Sequence, residues 1–341
     1  MMRQPKGWIF GLAHGLFVLA PALAGSPASE PPRFSLPIAC EPHKTCFIQS
    51  YADHDAGPGF RDYACGTAAY DGHKGTDFRV LSAAATVPGV AVLAAADGVV
   101  KSARDGMEDR LVVDGEPNPV ANRECGNGMV LDHGGGWETQ YCHLKKGSVQ
   151  VNKGDVIKRG QKLGDVGYSG LAEFAHRHFE VRKDGAVLDP CTGREQSNAC
   201  EAVPSTAQTL WMADVLAAFP GAETEFIDAV FAASVPTGPQ LEADHRPALP
   251  DGQSSELYFV ARIANVRRGD VVHVTLTGPG GFKFDKMQDP LKVHRGRHIA
   301  FGAAITGKGG RLPAGEYAGK IELLRDGKVI GEKSGTMTIT R

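Results

Sequence analysis

The chain has no Cys-x-x-Cys pair, few aromatics and almost no stretch of helical periodicity, and each lack removes a class of protein. Without Cys-x-x-Cys there is no cysteine zinc knuckle and no thioredoxin-type redox pair. With a formal charge of only −2 over 341 residues there is no overall positive field, so no nucleic-acid partner is expected. GYSGL (167–171) lacks the second glycine of a nucleophile elbow in the required place, and TGKGG (306–310) lacks the phosphate-loop pattern. A serine hydrolase and a nucleotide binder are therefore disfavoured.

Long apolar runs are also missing. WIFGLAHGLFVLAPALA (8–24) falls short of the ~20 residues a spanning helix needs, and Pro21 interrupts its end, so no stable membrane anchor is expected. Preceded by Arg3 and Lys6 and closed by Ala22-Leu23-Ala24, it has the three parts of a secretory signal peptide over residues 1–24. No cysteine follows to take a lipid. The expected location is therefore outside the cytoplasm, in the periplasm by preference and secreted as the alternative.

What is present fits export. Seven cysteines lie beyond the leader, and disulfides are the default in an oxidising compartment. Cys40 with Cys46 and Cys191 with Cys200 are local pairs. Cys65 with Cys125 would join two loops, leaving Cys142 over, one choice among many connectivities. Cys142 itself is expected to point into the core.

The length suggests roughly two domains. Forty-three glycines against 7% aromatics favour short strands and turns over long helices. The expected fold is mainly β, an antiparallel β catalytic domain followed by a C-terminal Ig-like β-sandwich. Residues 25–67 read as an N-terminal extension whose Pro- and Ser-rich start (25–36) is a mobile arm. Residues 68–203 form the first domain and 204–341 the sandwich. Asp184-Gly185 and Asp326-Gly327 sit between alternating runs and predict hairpins. VPSTAQTLWMADVLAAFPG (203–221) fits a short helix or a strand, and residues 236–255 read as a loop. No internal repeat links the two halves. The sandwich histidines His273, His294 and His298 are scattered, which suits a binding or spacer module.

Chemistry concentrates in three places. GHKGTDF (72–78) holds His73 and Asp77 in an HxxxD spacing, with Gly72 and Gly75 favouring a turn over a helix. FAHRHFEVR (174–182) reads as a strand in which His176 and His178 share one face, while Arg177, Phe179 and Val181 share the other. His143 ends the run TQYCHL. Three histidines and a carboxylate at strand ends are enough for a three-ligand zinc site with an open position, in which a bound water has a pKa near ~7. His73, Asp77, His143, His176 and His178 are five candidates, so a three-ligand site leaves two over, and His54 adds a weaker candidate. Alternation alone does not say whether His176 or His178 binds metal.

GHKGTDFR, AADGVV, GNGMVLDHGGGWETQYCHL, VNKGDVIKRGQKLGDVGYSG and HRHFEVRKDGAVLDP, in this order over about residues 71–190, resemble the lysostaphin-type zinc metallopeptidases. The resemblance implies Zn²⁺ as cofactor with His73, Asp77 and His178 as ligands. It makes His143 and His176 the pair that handles protons and stabilises the oxyanion. It implies hydrolysis of peptide bonds in peptidoglycan, with a peptidoglycan peptide as substrate. Two departures stand out. Arg177 replaces a more usual apolar residue, and by alternation faces away from the metal. Phe174-Ala175 replaces the usual Gly-Pro and bears on specificity. The extension before residue 68, with His54 as the plug, would be either a latency segment or, by preference, a structural addition. The expected function is a zinc-dependent endopeptidase acting on peptidoglycan cross-links. The alternatives are a non-catalytic regulator of a wall amidase, a metallopeptidase of proteins or free peptides, and a zinc carrier, which would have no use for His143. The sequence is silent on oligomeric state.

Overall fold

Turns carrying Asp and Gly, rather than capped helices, organise this chain. The computed structural model describes residues 1–2, 30–113, 120–196, 208–243, 247–306 and 310–340. The expected leader therefore lies almost wholly outside the described residues. Among those that are described, no helix is long and apolar enough to cross a membrane.

The protein is mainly β. Its first body contains β1 (Cys46–Ser50), β2 (Thr76–Val80), β3 (Ala91–Leu93), β4 (Gly98–Arg104), β5 (Asn127–Asp132), β6 (Trp137–Leu144), β7 (Val156–Ile157), β8 (Lys162–Asp165), β9 (His176–Lys183), β10 (Ala186–Asp189) and β11 (Arg194–Glu195). One antiparallel sheet runs β1-β2-β9-β6-β5-β4-β7, with β10 paired to β9 and β11 to β10, and β3 pairs with β8. β9 lies between β2 and β6, which brings three distant parts of the sequence side by side.

The second body contains β12 (Glu225–Ala232), β13 (Glu256–Val266), β14 (Val271–Gly278), β15 (Phe282–Met287), β16 (Arg295–Ile305), β17 (Gly315–Arg325) and β18 (Lys328–Ile339). The sheets β12-β13-β16 and β15-β14-β17-β18 enclose an apolar core that includes Phe259, Ile263, Val274 and Ile321. Both expected hairpins form. Asp184 and Gly185 join β9 to β10, and Asp326 and Gly327 join β17 to β18, all four with positive φ, as a two-residue turn matching strand twist requires.

Several local expectations change. Of the arm expected to be mobile, Phe34 is fully buried and its amide donates to the Leu210 carbonyl at 2.7 Å. An aromatic and the β1 strand give residues 34–50 enough apolar surface to join the first core. That core also takes Leu210, Trp211, Val215 and Phe219, the last of these just after α1 (Ala213–Ala218), so it draws from both sides of the 203/204 division. Within the stretch read as a loop lies α2 (Gly238–Glu242). Thr237 and Gln240 cap it reciprocally, each side chain accepting from the other's backbone amide.

The cysteines pair differently from expectation. Cys40–Cys46 forms, but Cys125 bonds to Cys142 rather than to Cys65. Cys65 is also disulfide-bonded. Cys191 is a free buried thiol, so its pairing with Cys200, a residue outside the described set, does not form.

The two bodies meet through buried polar contacts within one compact unit, Pro31–Arg341. Arg79 of β2 bonds Glu242 of α2, and Arg262 of β13 bonds both Glu242 and the Leu81 carbonyl. Gln49 of β1 donates to the Gly296 carbonyl at 2.6 Å and accepts from Arg79 at 3.0 Å. Phe47, Ile227 and Ala264 add a small apolar cluster at the same seam.

Candidate active site

The turn before β2 and the register of β9 build the site. Gly72 takes a positive φ of 73°, and its amide donates to Asp53, while the Asp53 amide donates to the His73 carbonyl at 2.8 Å. Gly75 then passes so close to β9 that a Cβ there would lie 2.5 Å from the Phe179 carbonyl oxygen and 2.7 Å from His178 Cε1. In the β2–β9 ladder Asp77 stands opposite His178, so the two side chains share a face with His176.

His143 reaches that face by a different route. Cys142, its neighbour, stands opposite His178, so regular alternation would turn His143 to the other side. Instead His143 has φ 61° where the β5–β6 register slips, and the left-handed residue re-aims the imidazole. Its amide donates to the Cys125 carbonyl at 2.9 Å, and the Cys125–Cys142 disulfide holds the same corner covalently.

All five expected residues, His73, Asp77, His143, His176 and His178, come together. Asp77 Oδ1 is the hub, 3.1 Å from His73 Nε2, 2.9 Å from His178 Nδ1 and 3.5 Å from His176 Nε2. The His143 ring lies 4.5 Å from that of His176 and 6.0 Å from that of His178. His54 stays out of the cluster. It is buried, with Nε2 at 2.7 Å from Asp189, so it plugs nothing.

Three imidazoles share one device. His73 Nδ1 lies 2.7 Å from the Tyr51 carbonyl, His143 Nδ1 2.7 Å from that of Ser169 and His176 Nδ1 2.9 Å from that of Phe174. A carbonyl only accepts, so the proton sits on Nδ1 and Nε2 is left as a bare lone pair facing inward. His178 is reversed, with Nδ1 inward and Nε2 3.8 Å from Glu180. Glu180 is in turn fixed by Arg182 at 2.6 Å.

This donor set fits zinc. His73 Nε2, His178 Nδ1 and Asp77 Oδ1 lie within 4.8 Å of one another. The bare Nε2 of His73 faces a carboxylate oxygen and a second imidazole at 3.2 Å. Such an arrangement of electron pairs is stable only around a shared cation or proton. Two nitrogens and one oxygen, each held from behind by a carbonyl, a carboxylate or a strand, are the donors zinc prefers.

The electrostatics split the histidines. Burial works against a charged His178, but the Asp77 and Glu180 carboxylates outweigh it and push its pKa up to about 9. Burial dominates at His176, lowering it to about 4 despite Asp77, and at His143, where burial and the neighbouring histidines hold it well below its ordinary value. Burial would raise Asp77, yet the surrounding histidines keep it well below the carboxylate range.

Arg177 faces away, as alternation predicts. It is fully buried with its guanidinium 4.5 Å over the Tyr141 ring and donates to the Cys142 carbonyl at 2.9 Å. It thus braces β6 beside His143. Phe174 packs on His176 with ring centres 4.6 Å apart, and the Arg79 guanidinium lies 4.6 Å from the centre of the Phe174 ring. Glu180, Tyr70 and Ser169 were not anticipated. Glu180 was visible in principle, since His176, His178 and Glu180 alternate onto one face. Tyr70, stacked 4.3 Å from His73, and Ser169, whose carbonyl orients His143, depend on loop paths that carry no local signal.

A groove of about 500 Å³ opens over Asp77 and His176. Phe60, Tyr70 and Leu171 form an apolar rim, and Gly296 and Arg297 of β16 stand on its wall.

The family described as peptidase family M23 matches residues 71–190, the segment that supplies all five side chains. Peptidoglycan DD-endopeptidase ShyB of Vibrio cholerae is 36% identical over 109 residues, 32% of this chain and 20% of that protein. ShyA of the same organism, also called a peptidoglycan DD-endopeptidase, is 34% identical over 109 residues with the same two shares. The matched segment spans about a fifth of the length of these curated relatives. Among solved structures, the catalytic domain of the antimicrobial peptidase lysostaphin from Staphylococcus simulans aligns at 21% identity, over 41% of this chain and 85% of that one, with a TM-score of 0.26. Residues 71–190, the segment that assembles the cluster, are thus similar in sequence to peptidase family M23.

Proposed function

We propose that this protein is an exported zinc-dependent endopeptidase that hydrolyses peptide bonds in peptidoglycan cross-links. The observation that carries the reading is the juxtaposition of a His-Asp-His donor set with two further imidazoles whose Nε2 atoms are bare. The names of its relatives support a wall substrate, and the Cys40–Cys46 and Cys125–Cys142 disulfides support an oxidising compartment such as the periplasm.

In this reading His73 Nε2, Asp77 Oδ1 and His178 Nδ1 hold zinc. The ion supplies Lewis acidity toward the scissile carbonyl and lowers the pKa of water to about 7. His143 and His176 are neutral at pH 7, so either Nε2 can take the proton of the attacking water. The resulting imidazolium keeps its Nδ1–H on the carbonyl behind it and presents Nε2–H to the developing oxyanion, then to the leaving amine. A regulator or carrier has no need for this second pair.

The test is mass spectrometry of fragments released from purified cross-linked peptidoglycan, with His178→Ala and a chelated sample alongside. Opened cross-links from the wild type alone are expected, and the fragment masses name the bond. A zinc-loaded wild type that releases nothing would overturn the reading.

A further inference from the structure

Charge is divided unevenly along the chain. From Glu256 to Arg341 there are fifteen lysines and arginines against eight aspartates and glutamates, while residues 1–255 carry more acid than base. Part of that excess gathers at one end of the second body. The β13–β14 turn brings Arg267 and Arg268, and the loop entering β16 brings Lys292, His294 and Arg295. Turn and loop are tied together. The Gly269 amide donates to the Leu291 carbonyl at 2.8 Å, the Leu291 amide donates to the Asp270 carbonyl at 2.9 Å, and Val266 stands opposite Arg295 in the β13–β16 ladder. All five basic residues are exposed. Little nearby neutralises them. Asp270, the acid of the turn, is buried and taken by Arg325 at 2.9 Å. Asp289, at the head of the loop, is one acid against four lysine and arginine cations. Among the described residues no hydrogen bond or ion pair engages the side chains of Arg268, Lys292 or Arg295, and Arg267 donates to the Ala222 carbonyl at 3.4 Å.

Like charges held this close repel one another, and an exposed cluster of them attracts an anionic partner through a field that salt screens. Position says which partner. Arg295 is followed directly by Gly296, which lines the groove over Asp77 and His176. The cluster therefore abuts the groove, and an extended polymer seated in one crosses the other. Peptidoglycan is such a polymer, with free carboxylates on its peptides. We propose that Arg267, Arg268, Lys292 and Arg295 form a docking surface for the acidic peptides of peptidoglycan, holding the polymer beside the groove independently of cleavage. This deepens the endopeptidase reading and rests on it for the identity of the polymer. Continuity with the groove is what favours the wall polymer over an anionic membrane surface.

The experiment sediments the zinc-replete full chain with purified insoluble peptidoglycan after brief incubation on ice, and the bound fraction gives Kd at rising salt. Wild type is expected to bind, less tightly as salt is raised. Arg268→Gln, Lys292→Gln and Arg295→Gln combined should raise Kd about tenfold or more at low salt and flatten the salt dependence. Lys328→Gln with Lys333→Gln, at exposed positions elsewhere in the sandwich, should leave both unchanged. Cleavage of a short soluble cross-linked peptide, confined to the groove, should be the same in the triple variant as in wild type. Thermal melts verify that each variant is folded. The assignment is overturned if wild type does not sediment, if the folded triple variant binds as wild type does, or if the control pair weakens binding as much. Preference for vesicles of anionic phospholipid over peptidoglycan overturns it too. Salt-sensitive binding that the triple variant loses, with no cleavage by wild type, would instead sink the peptidase reading and leave the docking surface in place.

Discussion

Two histidines flanked by acids, one in each body, behave in opposite ways. His273 of the sandwich gives one ring nitrogen to Glu322 at 2.9 Å and the other to Asp285 at 2.8 Å. Both nitrogens are saturated, hydrogen bonds to the two acids raise its pKa, and the result is a surface ion pair. His73 also faces an acid, Asp77, but its Nδ1 is spent on a backbone carbonyl, which leaves Nε2 as the one ring nitrogen turned toward that acid. Where His273 has two acids, His73 has one acid and a backbone carbonyl, and the carbonyl makes the difference. A carbonyl behind the ring fixes the tautomer and leaves a lone pair in front, whereas a second carboxylate fixes a positive charge and leaves nothing to offer.

The sharpest break of this contrast is at the two imidazoles outside the donor set. His143→Ala and His176→Ala should each lose about 10²- to 10³-fold in kcat while zinc stoichiometry by mass spectrometry stays at one. Loss of zinc with either would make them ligands instead. A smaller effect is expected at Glu180, which holds His178 from behind. Glu180→Gln should weaken zinc roughly 10- to 100-fold in a chelator competition, with the metal-loaded protein still cleaving. The smallest concerns His273. Its folded pKa is raised, so its contribution to stability is fully present below the unfolded value near ~6.5 and fades as pH rises through the folded one. Being a surface pair it is worth less than about 1 kcal/mol. Denaturant melts of His273→Ala should lack that small decline with pH, and cleavage should be unaffected.

Much of this was legible beforehand. Strand alternation placed His176 and His178 together and Arg177 apart, because a period of two is fixed by backbone geometry alone. Asp-Gly dipeptides located two hairpins because few residues accept consecutive positive φ values. His143 was assigned through resemblance, since its left-handed φ and the register slip behind it leave no mark in composition. The Cys125–Cys142 bond was misjudged for a related reason. Only the folding of β5 against β6 brings residues 17 apart in sequence to within 4.7 Å between Cα atoms. The part played by β16 in the groove depends on packing between bodies, which no local pattern records.

Gly75 changes what the HxxxD spacing means. Its missing side chain is the space in which the His178 ring sits, against a backbone oxygen that cannot move aside. The spacing therefore specifies two residues and one vacancy. A protein with His and Asp four apart but any bulkier residue at the third step would carry the right letters and have no room for the ring, so the informative unit is the whole word GHKGTD rather than its His and Asp alone.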